Sequence, residues 1–260
     1  MTLAATIESA AWAALETVRD PELDEPVTTL GFVASCTVSP GGQVTVRLRL
    51  PTYFCAPNFA YLMVADAYDA VTAVAGVACA EVILEDHFAS DAINGGVAAR
   101  AGFVASFAGE AVAELDELRA AFLRKAVLAG TDQVCRPLLA AGATPAALLA
   151  MALGDVPASP ELDRLRQRRA DLGLPAQDDA PLLIDPATGA AISAAAVPLH
   201  LRRASVTRAG IEANTSICSG MFRQRYPGGT NGVSPLSARR GAFPPARRET
   251  TAVDTWEEAE

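Results

Sequence analysis

Apolar and polar positions along the first 88 residues follow two different periods, and each period predicts its own elements. Stretches with apolar side chains three and four residues apart are typical of amphipathic helices, whereas strict alternation is typical of half-buried strands. The turn Ser39-Pro40-Gly41-Gly42 separates two alternating stretches and predicts a β-hairpin. The predicted order is helix, strand, strand, helix, strand, over residues 6–18 (with Thr6 as a candidate N-cap), 31–38, 43–50, 57–73 and 77–85. Two helices covering one face of a small sheet make an α+β domain.

The rest of the chain has a different pattern, which predicts a helical extension. An apolar stripe runs through residues 108–130, at Val112, Leu115, Leu118, Phe122 and Val127. The predictions that follow are a short helical pair at 131–154, a polar helix at 160–172 and a small hairpin at 182–192. We therefore divide the chain into a domain at 1–88, a helical region at 89–156, a mixed helix and hairpin region at 157–224, and a flexible, irregular, Arg-rich tail at 225–260.

The charge of the chain is unevenly distributed. The formal net charge is −9, yet residues 200–248 contain nine Arg, no Lys and one acid, and residues 249–260 contain five acids and no base. A basic segment on an acidic chain favours docking to an acidic protein surface or to the chain itself, although a solvated tail explains the pattern equally well. The few aromatic residues among the Arg and the overall negative charge argue against a nucleic-acid partner.

The five scattered cysteines and the lack of a recognisable targeting signal indicate the cellular compartment. No stretch reaches the ~20 apolar residues needed to cross a bilayer, so no membrane association is expected. The N-terminus lacks a secretory pattern. An odd number of cysteines then predicts reduced thiols in the cytoplasm rather than a disulfide framework. The patterns assign Cys36, Cys79 and Cys135 to packing in the core.

Cys55 lies where the second predicted strand ends and the second helix begins, in Leu50-Pro51-Thr52-Tyr53-Phe54-Cys55-Ala56-Pro57. Pro57 suits the first helical position. A thiol just before a helix N-terminus faces unpaired N–H groups and the positive end of the helix dipole, which favours thiolate, a ligand for soft metals and a nucleophile. The alternative is that Cys55 is a small buried apolar residue.

Several linked motifs resemble the metal–sulfur cluster assembly factors, the PaaD-like and SufT-like scaffold proteins. The first predicted helix is followed by Asp20-Pro21-Glu22 and then by Thr29-Leu30-Gly31-Phe32-Val33. The hairpin leads to Leu50, Thr52, Cys55 and Pro57 in the order of the family pattern. The resemblance covers about a third of the chain, and two positions depart from it. Ala56 separates Cys55 from Pro57, and Asp86-His87-Phe88 replaces the Pro-Trp that follows the third strand.

The resemblance implies a metal site at Cys55, with Asp20, Glu22, Thr52 and Pro57 supporting it. Its cargo would be iron or an iron–sulfur cluster, bound transiently. Because one Cys cannot hold a cluster, a second ligand must come from the mate in a homodimer, from a client, or from another thiol of this chain. Cys218, in a polar stretch bounded by glycine, is the candidate second thiolate, although a small buried residue with a packing role is the favoured interpretation.

The resemblance also implies a function, which is assembly or maturation of a client metalloenzyme without catalysis by the chain itself. Long helical extensions on this domain resemble proteins encoded beside bacterial binuclear-iron monooxygenases, so such an enzyme is the expected client, with a chaperonin or other assembly proteins as further partners. Two alternatives stay open. One is a non-metal folding chaperone or adaptor for an oxygenase complex. The other is a Cys-dependent enzyme that uses Cys55 and His87.

Overall fold

The computed structural model describes residues 3–227 of the 260-residue chain. The first five elements are those that the periodicity predicts, in the predicted order, and the α+β class is confirmed. Their bounds are α1 (Leu3–Leu15), β1 (Val33–Val38), β2 (Gln43–Arg49), α2 (Pro57–Thr72) and β3 (Cys79–Glu85). Thr6 lies inside α1 rather than at its N-cap, because the helix starts earlier than predicted.

The three strands form one mixed sheet in the order β1-β2-β3. β1 and β2 are antiparallel, as expected of a hairpin, and β2 and β3 are parallel, with Arg49 opposite Glu85 at their carboxyl ends. A parallel pair needs a crossover connection, and α2 is that connection. The loops that follow β2 and β3 therefore leave the sheet at the same edge, and this edge carries the candidate site.

The core of this domain lies between the sheet and the two helices. α1 buries Ile7, Ala11 and Leu15, and alternate residues of β2 are buried against them. A register shift between Val33 and Ser35 interrupts the alternation of β1. Cys36 is buried, as predicted. The assignment of Cys79 to the core was wrong: it is exposed, because it begins β3, and the buried positions of that edge strand come only later.

Between β3 and residue 227, eight further elements follow, and six of them are α-helices. They are α3 (Ser90–Ala98), α4 (Phe103–Ser106), α5 (Asp116–Ala140), α6 (Pro145–Ala150), a 3₁₀ turn (Leu153–Asp155), α7 (Pro160–Asp171), a second 3₁₀ turn (Ala194–Ala196) and α8 (Val197–Arg225).

The helix predicted at 108–130 starts and ends later in the structure than the sequence pattern predicts. It begins at Asp116, and Val112 is 99% exposed rather than part of an apolar stripe. The reason is local: the Glu114 carboxylate accepts the N–H groups of Phe103 and Val104 at 2.8 and 3.1 Å, which folds this segment back onto α4. The same helix continues through the predicted break near residue 131 as far as Ala140.

A second core forms between α5, α6, α7 and the segment at 180–183. Arg169 of α7 is fully buried there, and its guanidinium donates to the carbonyls of Pro181 and Leu182. The polar helix predicted at 160–172 is confirmed as α7. The hairpin predicted at 182–192 is reduced to a turn with one bridge between Ile184 and Ala191.

The 29-residue helix α8 returns to the N-terminal domain. It packs along α5, and its last turns reach the edge of the sheet where β2 and β3 end. Across residues 3–227, no helix is both long enough and apolar enough to cross a membrane. The tail predicted at 225–260 lies, from residue 228 onward, outside the described residues.

Candidate functional site

Cys55 lies one residue before the N-cap of α2. Ala56 is the N-cap and offers no capping side chain, and Pro57 occupies the first helical position, as predicted. The Cys55 Sγ is 3.3 Å from the Thr52 Oγ1, which itself accepts the N–H of Phe54 at 3.2 Å. Because that bond occupies a lone pair of the hydroxyl, its hydrogen is free to point at the sulfur. The thiol is half-buried.

His87 fixes the backbone of Cys55 from the neighbouring loop. Its Nδ1 accepts the N–H of Ala89 at 3.2 Å, so Nε2 carries the hydrogen and donates to the Cys55 carbonyl at 2.7 Å. Burial lowers the pKa of His87, with a smaller contribution from the positive charge of Arg225. Nothing in the sequence pattern places His87 near Cys55, yet its ring is hydrogen-bonded to the Cys55 carbonyl. Both ring nitrogens are occupied by backbone groups, which leaves neither as a base for the thiol.

Asp20 and Glu22 lie in a tight turn after α1. One carboxylate oxygen of Asp20 accepts the N–H groups of Glu22 and Leu23, each at 2.9 Å. Burial raises the pKa of Asp20, and these two hydrogen bonds oppose that shift. Glu22 is half-buried and accepts the side-chain amide of Asn214, in α8, at 3.3 Å. The turn therefore contacts both the domain and the extension.

Cys218 approaches the same place from α8. Asn214 and Phe222 lie one turn before and one turn after it, and Phe222 packs on Phe32 with ring centroids 5.3 Å apart. Burial, together with smaller contributions from the charges of Asp20, Cys55 and Glu22, raises the pKa of the Cys218 thiol to about 11. Cys218 and Cys55 both pack against the core of the N-terminal domain, and Asn214 links the helix of Cys218 to Glu22.

Beyond Cys218, the end of α8 clamps the two loops at the sheet edge. The Arg225 guanidinium donates to the carbonyl of Leu50 at 3.2 Å and also to that of Asp86. The Tyr226 hydroxyl is 3.2 Å from the Asp86 carboxylate, and the Arg49 guanidinium lies over its ring. These contacts join the loop after β2 to the loop after β3.

Three exposed aromatic rings lie in the loops that carry Cys55 and His87. Tyr53, Phe54 and Phe88 expose 47%, 76% and 50% of their surface, and their ring centroids lie 5.0 to 6.3 Å apart. The N–H of Phe88 donates to the Tyr53 carbonyl at 3.1 Å, which fixes the group. We call these three residues the aromatic rim. Sequence reasoning missed it, although Tyr53 and Phe54 directly precede Cys55.

The site does not form a closed metal cage. In the range 3–227, no group of three or more His, Cys, Asp or Glu side chains is arranged to hold a metal ion. The other three cysteines do not contribute. Cys36 and Cys135 are buried, with thiol pKa values raised by burial to about 11 and about 12, and Cys79 is exposed on β3.

A family model described as "Iron-sulfur cluster assembly protein" matches residues 8–82. The N-terminal domain is therefore similar to iron–sulfur cluster assembly proteins. An iron-sulfur cluster carrier protein of Mycobacterium leprae (strain TN) is 44% identical over 52 residues, which are 20% of this chain. The chain spans 14% of the length of that curated relative. The predicted resemblance is confirmed for this domain, whereas α3 to α8 lie beyond the matched residues.

The two departures from the family pattern have structural consequences for the N-terminal domain. Ala56 takes the N-cap position, so Cys55 moves one residue further from the helix while Pro57 keeps its place. Asp86-His87-Phe88 supplies three contacts: Asp86 to Tyr226, His87 to the Cys55 carbonyl, and Phe88 to the aromatic rim. The loop after β3 is therefore part of the site.

Proposed function

We propose that the protein is a non-catalytic assembly factor, which receives iron or an iron–sulfur cluster on Cys55 and passes it to a client metalloenzyme. The observation that carries the proposal is the setting of Cys55. Its thiol is half-buried in a domain similar to iron–sulfur cluster assembly proteins, contacted by Thr52 and held through its carbonyl by His87. Thiolate is the soft ligand that iron–sulfur clusters require.

The proposed mechanism is ligand exchange. Cys55 loses its proton as the sulfur–iron bond forms. It regains a proton when a ligand of the client replaces Cys55 on the iron, so no electron is transferred. Incomplete ligation favours release, because a client with more ligands holds the cargo more tightly. The side chains of the aromatic rim are exposed, so the Cys55 loop lies at the surface, where an acceptor protein can reach it.

As the client class we propose a binuclear-iron monooxygenase, on the basis of the long helical extension that follows the domain. A chaperonin or further assembly proteins would act at the same stage. The five free thiols suit a reducing compartment such as the cytoplasm. A Cys-dependent enzyme is disfavoured, because both His87 nitrogens are bonded to backbone groups and cannot activate the thiol.

The test is co-expression of a binuclear-iron oxygenase with the wild-type protein, with Cys55→Ser, or with Cys79→Ser as the matched control at an exposed thiol. Iron per oxygenase and soluble oxygenase yield are measured in each case. We expect Cys55→Ser to lower the iron content at unchanged yield, and Cys79→Ser to behave as wild type. If the oxygenase kept its iron content with Cys55→Ser, and its soluble yield still depended on the presence of the protein, the protein would be a folding adaptor rather than a metal carrier.

A further inference from the structure

Arg225, at the end of α8, bridges the carboxyl ends of two strands. Its guanidinium donates to the carbonyl of Leu50 at 3.2 Å and also to that of Asp86. These two residues directly follow β2 and β3, whose last residues lie opposite each other in the parallel register. One side chain of the extension therefore joins the two points at which the loops of Cys55 and His87 leave the sheet.

The backbone of Asp86 is left-handed, with a φ of 53°. A residue with a Cβ adopts this conformation at a cost, so the surrounding contacts must hold it there. Two of those contacts come from α8, because Arg225 binds the Asp86 carbonyl and the Tyr226 hydroxyl lies 3.2 Å from its carboxylate. The next residue is His87, which donates to the Cys55 carbonyl. The conformation that α8 stabilises at Asp86 thus sets the direction in which the chain continues to His87.

The carbonyl of Leu50 begins the other loop. Two residues later, the Thr52 hydroxyl lies 3.3 Å from the Cys55 sulfur. The two loops are also joined further out, where the N–H of Phe88 donates to the Tyr53 carbonyl at 3.1 Å. The bridge from α8 therefore reaches Cys55 through both loops.

Aromatic contacts fix the end of α8 in place. Phe222 packs on Phe32 of the core and on Tyr226, with ring centroids 5.3 and 5.0 Å apart. The guanidiniums of Arg49 and Arg225 lie 5.3 and 5.2 Å from the centre of the Tyr226 ring. Arginine suits this position because its planar fork presents several N–H donors in a fixed geometry, whereas lysine offers a single ammonium group. One arginine can therefore serve two carbonyls at once.

We propose that Arg225 is a positioning residue for metal handling: by joining the two loops, it holds the Cys55 thiol in the orientation that binds iron. This inference rests on the proposed function and deepens it. Arg225 acts through the carbonyls of Leu50 and Asp86 rather than on the sulfur itself. The proposal assigns a defined role to the extension, which is to close the loops around a ligand that belongs to the N-terminal domain.

Thiol alkylation of the reduced, full-length protein tests the positioning directly. Iodoacetamide is added at a fixed pH, and mass spectrometry follows the rate at each cysteine, with the exposed Cys79 as an internal reference. We expect Arg225→Ala to raise the rate at Cys55 several-fold, because a half-buried thiol reacts faster when its loop opens. The matched control is Arg223→Ala, which removes an exposed arginine from the same turn of α8 and should leave that rate unchanged.

Amide hydrogen exchange separates loosened loops from an undocked helix. In Arg225→Ala, we expect faster exchange at the N–H of Phe88, which donates between the loops, and wild-type exchange along α8. Two milder variants accompany it. Arg225→Lys keeps the charge without the fork and should give an intermediate alkylation rate at Cys55. Tyr226→Phe keeps the ring and removes only the hydroxyl beside Asp86, so it should give a smaller rise.

Co-expression with a binuclear-iron oxygenase measures the consequence for the client. We expect Arg225→Ala to lower the iron per oxygenase at unchanged soluble yield. Arg225→Lys should lie between Arg225→Ala and the wild type, and Arg223→Ala should match the wild type. Lower client iron together with faster alkylation of Cys55 would support the proposal.

The outcomes separate this inference from the proposed function. A wild-type alkylation rate of Cys55 in Arg225→Ala would overturn the proposal, whatever the iron content of the client. Wild-type client iron in Arg225→Ala, under conditions where Cys55→Ser lowers it, would also overturn the proposal. If Cys55→Ser itself leaves client iron unchanged, the proposed function fails. In that case, faster alkylation in Arg225→Ala would still support the positioning of the thiol by Arg225.

Discussion

The hydroxyl of Thr52 holds two neighbours at once, the sulfur of Cys55 and the N–H of Phe54. We expect Thr52→Val, which keeps the shape and removes the hydroxyl, to lower the free energy of unfolding by about 1 kcal/mol. It should also lower iron occupancy, because the thiol loses the group that orients it. Urea unfolding and iron content check both effects, with Thr52→Ser as the control that keeps the oxygen. Equal free energies of unfolding and equal iron contents in Thr52→Val and Thr52→Ser would show that the hydroxyl does not position the thiol.

His87 is a structural bridge between the loops that follow β2 and β3. We expect His87→Ala to lower the free energy of unfolding by about 2 kcal/mol, because it leaves the Cys55 carbonyl and the Ala89 N–H without their partner. Urea unfolding measures the loss. His87→Gln, which keeps a donor and an acceptor, should lose less. A His87→Ala protein as stable as wild type would contradict the role of a bridge.

The local sequence pattern predicted the position of part of the candidate site but not of the rest. Cys55 and Pro57 follow from the end of a strand and the start of a helix, both visible in the sequence. His87 lies 32 residues further on, and only the parallel pairing of β2 with β3 brings its loop to Cys55. A strand, helix, strand order implies that pairing, so the topology could have indicated that the two loops meet.

At the scale of elements, α8 is the main feature that periodicity did not predict. Its buried residues are few for 29 positions, namely Val197, His200, Ala204 and Phe222. Gly210 and Gly220 lie inside it, and glycine costs about 1 kcal/mol relative to alanine in a helix interior. Contacts with α5, among them the ion pair of Arg208 with Asp132, support a helix that its own sequence pattern does not specify.

Phe222 fixes the end of α8 on the domain, and its ring is 8% exposed. We expect Phe222→Ala to lower the free energy of unfolding by about 3 kcal/mol, since a buried ring is replaced by a cavity. Urea unfolding of the purified variant measures the loss. The matched control is Ile217→Ala, on the same helix but 59% exposed, which should change stability by less than about 0.5 kcal/mol. A Phe222→Ala protein as stable as wild type would show that this ring does not fix α8 on the domain.

At the scale of the whole molecule, the ion pair of Arg168 with Asp24 joins the extension to the loop after α1. The Arg168 side chain is 3% exposed and its Nε lies 2.6 Å from the Asp24 carboxylate. Removing one partner of such a pair leaves the other charge poorly solvated, so we expect Arg168→Met to cost about 3 kcal/mol. Urea unfolding of both single variants and the double variant with Asp24→Asn measures the coupling. The double variant should lose less than the sum of the singles, and strict additivity would argue against a coupled pair.

The α+β class followed from the sequence, because alternation in β2 and helical spacing in α1 and α2 are strong local signals. The arrangement of the extension did not follow, because buried charged groups such as Arg168 and Arg169 hold it in place. A buried arginine looks like a surface residue in a hydropathy pattern, and its partners are carbonyl and carboxylate oxygens that no periodicity reveals.

Stability of the whole molecule should fall in mild acid, because both of its histidines are buried. Burial lowers the pKa of His200; the positive charges of Arg169 and Arg203 act in the same direction and Asp185 opposes them. The unfolded chain has an ordinary histidine pKa of about 6.5. As pH falls below that value, the unfolded state binds a proton that the folded state does not, so the free energy of unfolding decreases.

We therefore expect the free energy of unfolding to be nearly constant from about pH 7 to pH 7.5 and to decrease below about pH 6.5, with a slope of up to about 1.4 kcal/mol per pH unit for each histidine. His200→Gln should reduce that slope, while His87, whose pKa burial also lowers, retains its share. Urea unfolding from pH 7.5 to 5.5 measures both curves. Asp20 and Glu25, with pKa values raised by burial, act in the opposite direction at lower pH, since their folded forms bind protons more readily. If His200→Gln kept the wild-type slope, the proton taken up on unfolding would belong to another group.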